Sequence, residues 1–162
     1  MKPNSKIMVA CDLSAYAEEA VRCATALARD LKAELVIVNV INERDIAAMN
    51  KALVRIKAEF DNFPVTIASY IDGLKKEHTR ELEAVLNQAG GGQTDHRYVI
   101  TTGIPFKRLI DIAVEESPRF IVIGTKGRSD LANVILGSTA EKMFRHCPFP
   151  LLSVRLAPVT DV

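Results

Sequence analysis

The sequence predicts a single α/β domain over residues 1–162: an open, doubly wound parallel sheet with helices on both faces. Five short apolar runs alternate with amphipathic segments along the chain. The second and fourth runs are continuously apolar rather than alternating, as in strands that are covered on both faces. Neither an internal repeat nor a linker interrupts the pattern, and the length suits one domain.

The five strands are predicted at residues 7–11, 34–40, 98–101, 120–123 and 150–154. Between the first two strands, apolar residues recur at helical spacing from Ala17 to Leu31, and Ser14 precedes them. A serine side chain accepts a hydrogen bond from the free amides at a helix start. The first helix is therefore expected to begin directly after Ser14.

Three further helices follow from local signals. One begins near Pro64 and stops at the glycines of residues 90–92. The next begins at Pro105, since proline suits the first helical turn. The last begins at Ser138 and ends before Cys147. Strand and helix thus alternate through the whole chain.

Residues 42–63 do not fit this minimal alternation. Their apolar side chains fall on one helical stripe, which predicts an extra helix: Ile46, Met49, Leu53, Ile56 and Phe60. The segment leaves the carboxyl end of a strand, where open α/β sheets bind ligands. It is either a lid over the site or, as we favour, a plain packing or dimer-contact helix.

The composition argues against several classes of partner. The chain has 21 basic and 20 acidic residues, which predicts no attraction to nucleic acid or to a membrane surface. The apolar run at residues 7–11 is too short for a leader or a membrane span, so we expect a cytoplasmic protein. Its three cysteines and three histidines lack ligand spacing, which predicts reduced thiols and no metal site. His78 lies on an apolar stripe and is expected to pack there rather than to catalyse.

The glycines point to a phosphate site in an unusual place. Residues 11–16, after the first strand, contain neither a dinucleotide fingerprint nor a Walker A loop. Gly124, Gly127 and Gly137 follow the fourth strand instead. Glycine allows positive φ and close backbone approach, so main-chain amides can line a concavity there.

The third glycine leads into a helix whose free amides and dipole favour an anion. Ser138 and Thr139 offer hydroxyl donors, and Lys126 and Arg128 add positive charge within the loop. A purely structural interpretation is also open. Ser138 and Glu141 have the spacing of a capping box, the two cations can be solvated, and glycines after strands are often turns.

The spacing Gly124, two residues, Gly127, nine residues, Gly137, Ser138 resembles the G-x2-G-x9-G-[ST] signature of the ATP-binding branch of the universal stress protein family. All four signature positions match. The likeness extends over nearly the whole chain, in the segments at residues 6–14, 38–40, 103–105 and 147–154. It implies a sheet of strand order 3-2-1-4-5, with a nucleotide where that order reverses.

The resemblance implies ATP, with Mg²⁺, as the ligand. By position, the ribose and phosphates would contact Gly124, Gly127, Gly137, Ser138 and Thr139, while Ala10 and Asp12 would line the nucleoside side. The backbone of Val40 would meet the adenine. Asp12 has an alternative role in a local turn or helix cap. This chain departs from the family pattern at Leu13, where Asp-Gly-Ser is common, and at residues 125–126, which replace a frequent Ser-His pair.

No catalytic residues are predicted. A Ser-His-Asp arrangement and a paired-carboxylate motif are both missing from the sequence, although phosphoryl transfer requires positioned groups of this kind. We expect a nucleotide-dependent stress-response regulator with an unidentified regulatory partner. The alternatives are an interaction scaffold with an empty pocket and a genuine slow ATPase. The resemblance also implies a homodimer through the edge strand at residues 150–154, whose apolar edge needs a partner.

Overall fold

The computed structural model describes residues 5–128, 133 and 135–156, so the ends of the predicted 1–162 domain lie outside the described part. It contains a five-stranded parallel sheet of order β3-β2-β1-β4-β5, as expected. The strands are β1 (Lys6–Ala10), β2 (Glu34–Asn42), β3 (His96–Gly103), β4 (Phe120–Gly124) and β5 (Leu151–Val154). The second and third strands are longer than predicted, because the parallel ladder continues through Ile41 and Asn42 of β2 and through residues 96–97 and 102–103 of β3.

Five helices connect the strands of the described chain: α1 (Ala15–Leu31), α2 (Glu43–Glu59), α3 (Ile67–Gln88), α4 (Pro105–Glu116) and α5 (Ser138–His146). Ser14 caps α1 as predicted, its side chain accepting from the amide of Ala17. Residues 42–63 do contain a helix, α2. Leu53 is the one buried side chain among its 17 residues, so α2 lies on the surface of the fold.

The core lies on both faces of the sheet. On one face, Ile7 and Val9 of β1 pack against α1 and α3; on the other, Met8 packs against α4 and α5. All three side chains have no exposed surface. Successive side chains of a strand point to opposite faces, so a strand covered on both faces must be continuously apolar. No helix in the described residues is long and apolar enough to cross a membrane.

An ion-pair network ties the amino ends of the strands together. Lys6 lies 2.8 Å from Glu116, and Arg97 pairs with both Glu116 and Glu34. Burial acts to raise the pKa of Glu116, but the hydrogen bonds and charges of Arg97 and Lys6 outweigh it, so the pKa lies below its usual value. This network is at the opposite edge of the sheet from the carboxyl ends of the strands.

The carboxyl edge has a notch above β1. That strand ends at Ala10, opposite Val38 of β2, while β2 continues to Asn42. On the other side, Val9 pairs with Val122, and β4 runs on to Gly124. The central strand β1 therefore ends before both of its neighbours at this edge. The strand order reverses at the same place, and a crevice opens there.

Candidate functional site

A cavity of about 470 Å³ fills this notch. Its wall includes all ten residues predicted for the site: Ala10, Asp12, Val40, Gly124, Lys126, Gly127, Arg128, Gly137, Ser138 and Thr139. The structure thus brings together three segments that are distant in sequence: the end of β1, the end of β2 and the loop between β4 and α5. The role of each residue in binding stays a prediction.

Asp12 serves the local turn and the pocket at once. Its Oδ1 accepts from the Ser14 amide at 3.1 Å, which closes a turn before α1. Its Oδ2 accepts from the main-chain amide of Arg128 at 3.2 Å. Between these contacts Leu13 adopts φ 65°, a left-handed conformation that glycine adopts without strain. The turn is therefore kept with a leucine where the family commonly has glycine.

The three signature glycines are explained by close packing. A Cβ at Gly124 would lie 3.0 Å from the backbone of Tyr16, and one at Gly127 would lie 2.5 Å from Oδ2 of Asp12. At Gly137 it would lie 3.3 Å from the Cα of Lys126. None of the three has the positive φ that we also expected, so that part of the prediction is wrong. The loop needs glycine because main chain and carboxylate approach where a side chain would stand.

The start of α5 is open toward the cavity. The N-cap residue is Gly137, and no side chain forms a cap hydrogen bond. The capping box expected between Ser138 and Glu141 is therefore not formed, since Ser138 is already the first helical residue. Its side chain is exposed and lines the cavity together with that of partly buried Thr139. Free amides and hydroxyls at this helix start can donate to an anion.

Another part of the cavity wall is apolar and is supplied by strand and helix ends. Val38, Pro105, Leu109 and Ile123 line it. The amide of Cys11 donates to the carbonyl of Val38, so the main-chain groups of Val38 face β1. Two residues on, those of Val40 face the same side, beyond the end of β1. Val40 thus lines the cavity at this edge of the sheet.

The structure adds site residues that sequence reasoning missed: Cys11, Val38, Asn42, Asp45, Pro105, Leu109, Ile123 and Ala140. Asn42 and Pro105 each directly begin a helix at the carboxyl edge, and this position could have marked them. Asp45 gave no such signal. It lies in the first turn of α2, and its Oδ2 is 3.1 Å from the Arg128 guanidinium. The first turn of the surface helix α2 therefore reaches the cavity.

Lys126 and Arg128 both have partners outside the loop between β4 and α5. The Lys126 ammonium lies 5.9 Å from the centroid of the Tyr16 ring, within range of a cation–π contact. Arg128 pairs with Asp45 through its side chain and with Asp12 through its main chain. The side chain of Arg128 is 63% exposed, so this pairing is in contact with water. The described cavity wall therefore has a charged part, with two cations and two carboxylates, and an apolar part.

Behind the site, polar contacts fix the end of β1. The buried amide of Asn39 donates to the carbonyl of Cys11 at 2.8 Å, and its oxygen lies 2.8 Å from Nδ1 of His78. His78 is half-buried and is not among the cavity residues. Burial raises the pKa of the Cys11 thiol to about 12, so this group is a neutral thiol at physiological pH.

The described residues contain no group of three or more histidine, cysteine or acidic side chains arranged to hold a metal ion. Within the cavity wall, Asp12 and Asp45 are the carboxylates that the structure describes. The chemistry available is therefore anion binding by amides, hydroxyls and cations, next to an apolar slot.

Comparison with known proteins gives a consistent family. The model of the universal stress protein family matches residues 3–155. Universal stress protein MJ0577 of Methanocaldococcus jannaschii is 29% identical over 164 residues, covering 93% of this chain and 94% of the relative. The solved structure of MJ0577 superposes with a TM-score of 0.74 at 24% identity, covering 96% of this chain and 99% of that one.

Two further solved structures are nucleotide complexes. A universal stress protein from Archaeoglobus fulgidus in complex with dAMP has a TM-score of 0.61 at 18% identity, covering 93% of this chain and 98% of that one. Another universal stress protein, in complex with cAMP, has a TM-score of 0.58 at 21% identity, covering 93% of this chain and 96% of that one. At these identities the likeness concerns the fold.

Proposed function

This chain belongs to the universal stress protein family, and on that basis we propose that it is a nucleotide-dependent regulator that binds ATP in the cavity above β1. The observation that carries the proposal is the uncapped start of α5, which lines the cavity together with Lys126, Arg128 and an apolar wall. The nucleotide complexes of family members with the same fold support an adenine nucleotide as ligand.

The two sides of the cavity suit the two ends of a nucleotide. The apolar wall with Val38, Pro105 and Leu109 would hold the adenine, next to the backbone of Val40. The volume of about 470 Å³ lies within the range of small-ligand pockets. Asp12, at the end of the central strand, would meet the ribose between these two sides.

The phosphates would lie against the start of α5. Free amides there, the hydroxyls of Ser138 and Thr139, and the cations Lys126 and Arg128 all favour negative charge. When bound with Mg²⁺, ATP supplies a polyphosphate whose charge this side of the cavity neutralises. Asp12 would supply a carboxylate to the metal ion.

Regulation requires that the nucleotide favour one conformation over another, since a ligand shifts an equilibrium only by its differential affinity. The cavity wall includes Asp45 of the surface helix α2. We therefore assign α2 as the element through which occupancy reaches a regulatory partner. Cytoplasmic ATP would be the natural ligand for such a sensor.

The test begins with freshly purified protein. The protein is denatured, and any released nucleotide is identified and quantified per chain. Nucleotide-free protein is then titrated with Mg-ATP by calorimetry, with Mg-CTP as control because it carries the same phosphates on another base. Tighter binding of ATP is expected. If no nucleotide is released and neither titration gives a signal, the chain is a scaffold with an empty pocket.

The same preparation separates binding from turnover. At most one hydrolysis event per chain over hours is expected. Multiple turnover that is abolished by Asp12→Asn would instead make the protein a genuine ATPase.

We also propose a homodimer through the outer edge of β5. This strand pairs with β4 on its inner side, and Leu152 and Leu156 are each 39% exposed near its outer edge. An apolar edge strand without a partner invites aggregation. Leu152→Lys should shift the mass measured by light scattering to that of a monomer, whereas Val54→Lys on α2 should leave it unchanged. An unchanged mass for Leu152→Lys would exclude this interface.

A further inference from the structure

The ion pair between Arg128 and Asp45 joins two parts of the cavity wall. Arg128 belongs to the loop between β4 and α5, which we call the glycine loop. Asp45 belongs to the first turn of α2, 83 residues earlier. The guanidinium and the carboxylate Oδ2 are 3.1 Å apart, and both residues line the cavity. Their side chains are 63% and 59% exposed, so the pair is accessible to a ligand from solvent.

Arg128 is held at two points by two different carboxylates. Its main-chain amide donates to Oδ2 of Asp12 at 3.2 Å, which fixes the backbone position of the residue at the cavity. Its side chain is directed by Asp45. Rotation of the side chain alone would free the guanidinium, because the backbone contact with Asp12 is separate. The main chain therefore keeps its place when the side chain changes partner.

A phosphate competes well for this guanidinium. Arginine binds carboxylate and phosphate through the same fork of N–H groups, and a polyphosphate carries more negative charge than one aspartate. An exposed ion pair contributes roughly 0–1 kcal/mol, so the ligand has little to overcome. Asp45 also repels a phosphate directly as long as it lines the same cavity. Both effects weaken the binding of phosphates and leave the binding of the base unchanged.

We propose that Asp45 is a specificity-determining residue: it competes with the nucleotide phosphates for Arg128, so that ATP binding breaks the ion pair and releases the first turn of α2. This inference rests on the proposed nucleotide binding in the same cavity. It makes the affinity depend on the number of phosphates through a residue outside the glycine loop. It also gives α2 two states, paired with the loop in the free protein and unpaired in the complex.

The experiment measures the dissociation constants of Mg-ATP and adenosine for five forms of the full chain. These are the wild type, Asp45→Asn, Arg128→Gln, the double variant and Glu43→Gln. Glu43 is the matched control because it lies in the same first turn of α2, has the same charge and is absent from the cavity wall. Thermal unfolding of each form checks that the variants are folded.

Asp45→Asn is expected to strengthen ATP binding by about three- to fivefold, as the loss of one exposed ion pair allows, and to leave adenosine binding unchanged. Glu43→Gln should leave both constants within about twofold of the wild type. In the Arg128→Gln background, Asp45→Asn should strengthen ATP binding clearly less, because no guanidinium remains to be released. Equal gains in both backgrounds would mean that Asp45 acts by repulsion alone and would overturn the competition.

A second measurement monitors α2 itself. Addition of ATP to the wild type should speed amide hydrogen exchange in the second turn of α2, whose amides donate to carbonyls of the first turn, and Asp45→Asn should show the faster exchange already without nucleotide. If the wild type binds ATP but Asp45→Asn binds it no more tightly than Glu43→Gln does, the inference is refuted and the proposed function stands. A wild type and an Asp45→Asn variant that both bind neither ligand would refute the proposed function itself.

Discussion

Gly127→Ala tests whether the glycine loop is shaped by its contact with Asp12. The added Cβ would lie 2.5 Å from Oδ2 of Asp12, whereas ordinary contact begins at 3.4 Å. The carboxylate would therefore retreat by about 1 Å, which lengthens its 3.2 Å hydrogen bond to the Arg128 amide beyond bonding distance. One hydrogen bond to a charged group contributes about 1.5 kcal/mol. We expect the affinity for Mg-ATP to fall by about tenfold.

The assay is calorimetric titration of Gly127→Ala beside Gly73→Ala, a matched control in α3. A Cβ at Gly73 meets no atom within 4 Å, so alanine there should stabilise the helix by about 1 kcal/mol and leave binding unchanged. In an Asp12→Ala background, Gly127→Ala should weaken binding no further, because the colliding oxygen is gone. Binding of ATP to Gly127→Ala within twofold of Gly73→Ala would refute the steric argument.

Three other predictions follow from single residues. Leu13→Gly should be more stable to denaturant than Leu13→Ala by about 1 kcal/mol, since both remove the side chain but only alanine keeps the strain of φ 65°; the reverse order would contradict a left-handed Leu13. Ser138→Ala should change the unfolding free energy by less than about 0.5 kcal/mol because Ser138 forms no cap bond, yet weaken ATP binding; a loss of stability near 1 kcal/mol would restore the capping role. Burial raises the pKa of the Cys11 thiol from 9.0 to about 12. The neutral thiol therefore contributes fully to the free energy of unfolding below pH 9, and this contribution is lost as the pH rises toward 12. Relative to Cys11→Ala, the wild type should lose about 2 kcal/mol of stability between pH 8 and 10.5 in urea titrations; parallel pH profiles would disprove the buried neutral thiol.

The sheet was predictable because burial on both faces leaves a direct mark on the sequence. Residues Ile7, Met8 and Val9 are apolar without alternation, and each packs against a different side of the sheet from its neighbour. The strand order was available only through the family resemblance, since apolar runs show which segments are strands but not which strands pair. The ends of β2 and β3 were missed because the hydrogen-bond ladder between these strands continues beyond the apolar runs.

The residues of the glycine loop were predictable, but the reason for them was not. Sequence spacing identifies Gly124, Gly127 and Gly137, yet a glycine can be required by its own φ or by a neighbour that is distant in sequence. Here Tyr16 and Asp12 are those neighbours, and each is more than a hundred residues away. Asp45 was missed too, because its partner Arg128 is distant in sequence. An acidic residue in the first turn of a helix also has an ordinary role with the helix dipole.

The arrangement of acidic groups favours binding over turnover. A base for water activation must accept a proton at a reacting position, which requires an oxygen that is not committed elsewhere. Among the described cavity residues, the carboxylates are Asp12 and Asp45. Asp12 already accepts from the amides of Ser14 and Arg128, and Asp45 is paired with the Arg128 guanidinium. If ATP binds the Arg128 guanidinium, the carboxylate of Asp45 loses its partner. Asp45 is on the surface helix α2, so this loss would alter the surface of the protein. In the proposed release, Asp45 would move with a surface helix instead of being fixed beside a water molecule, so that ATP binding would favour a change of conformation.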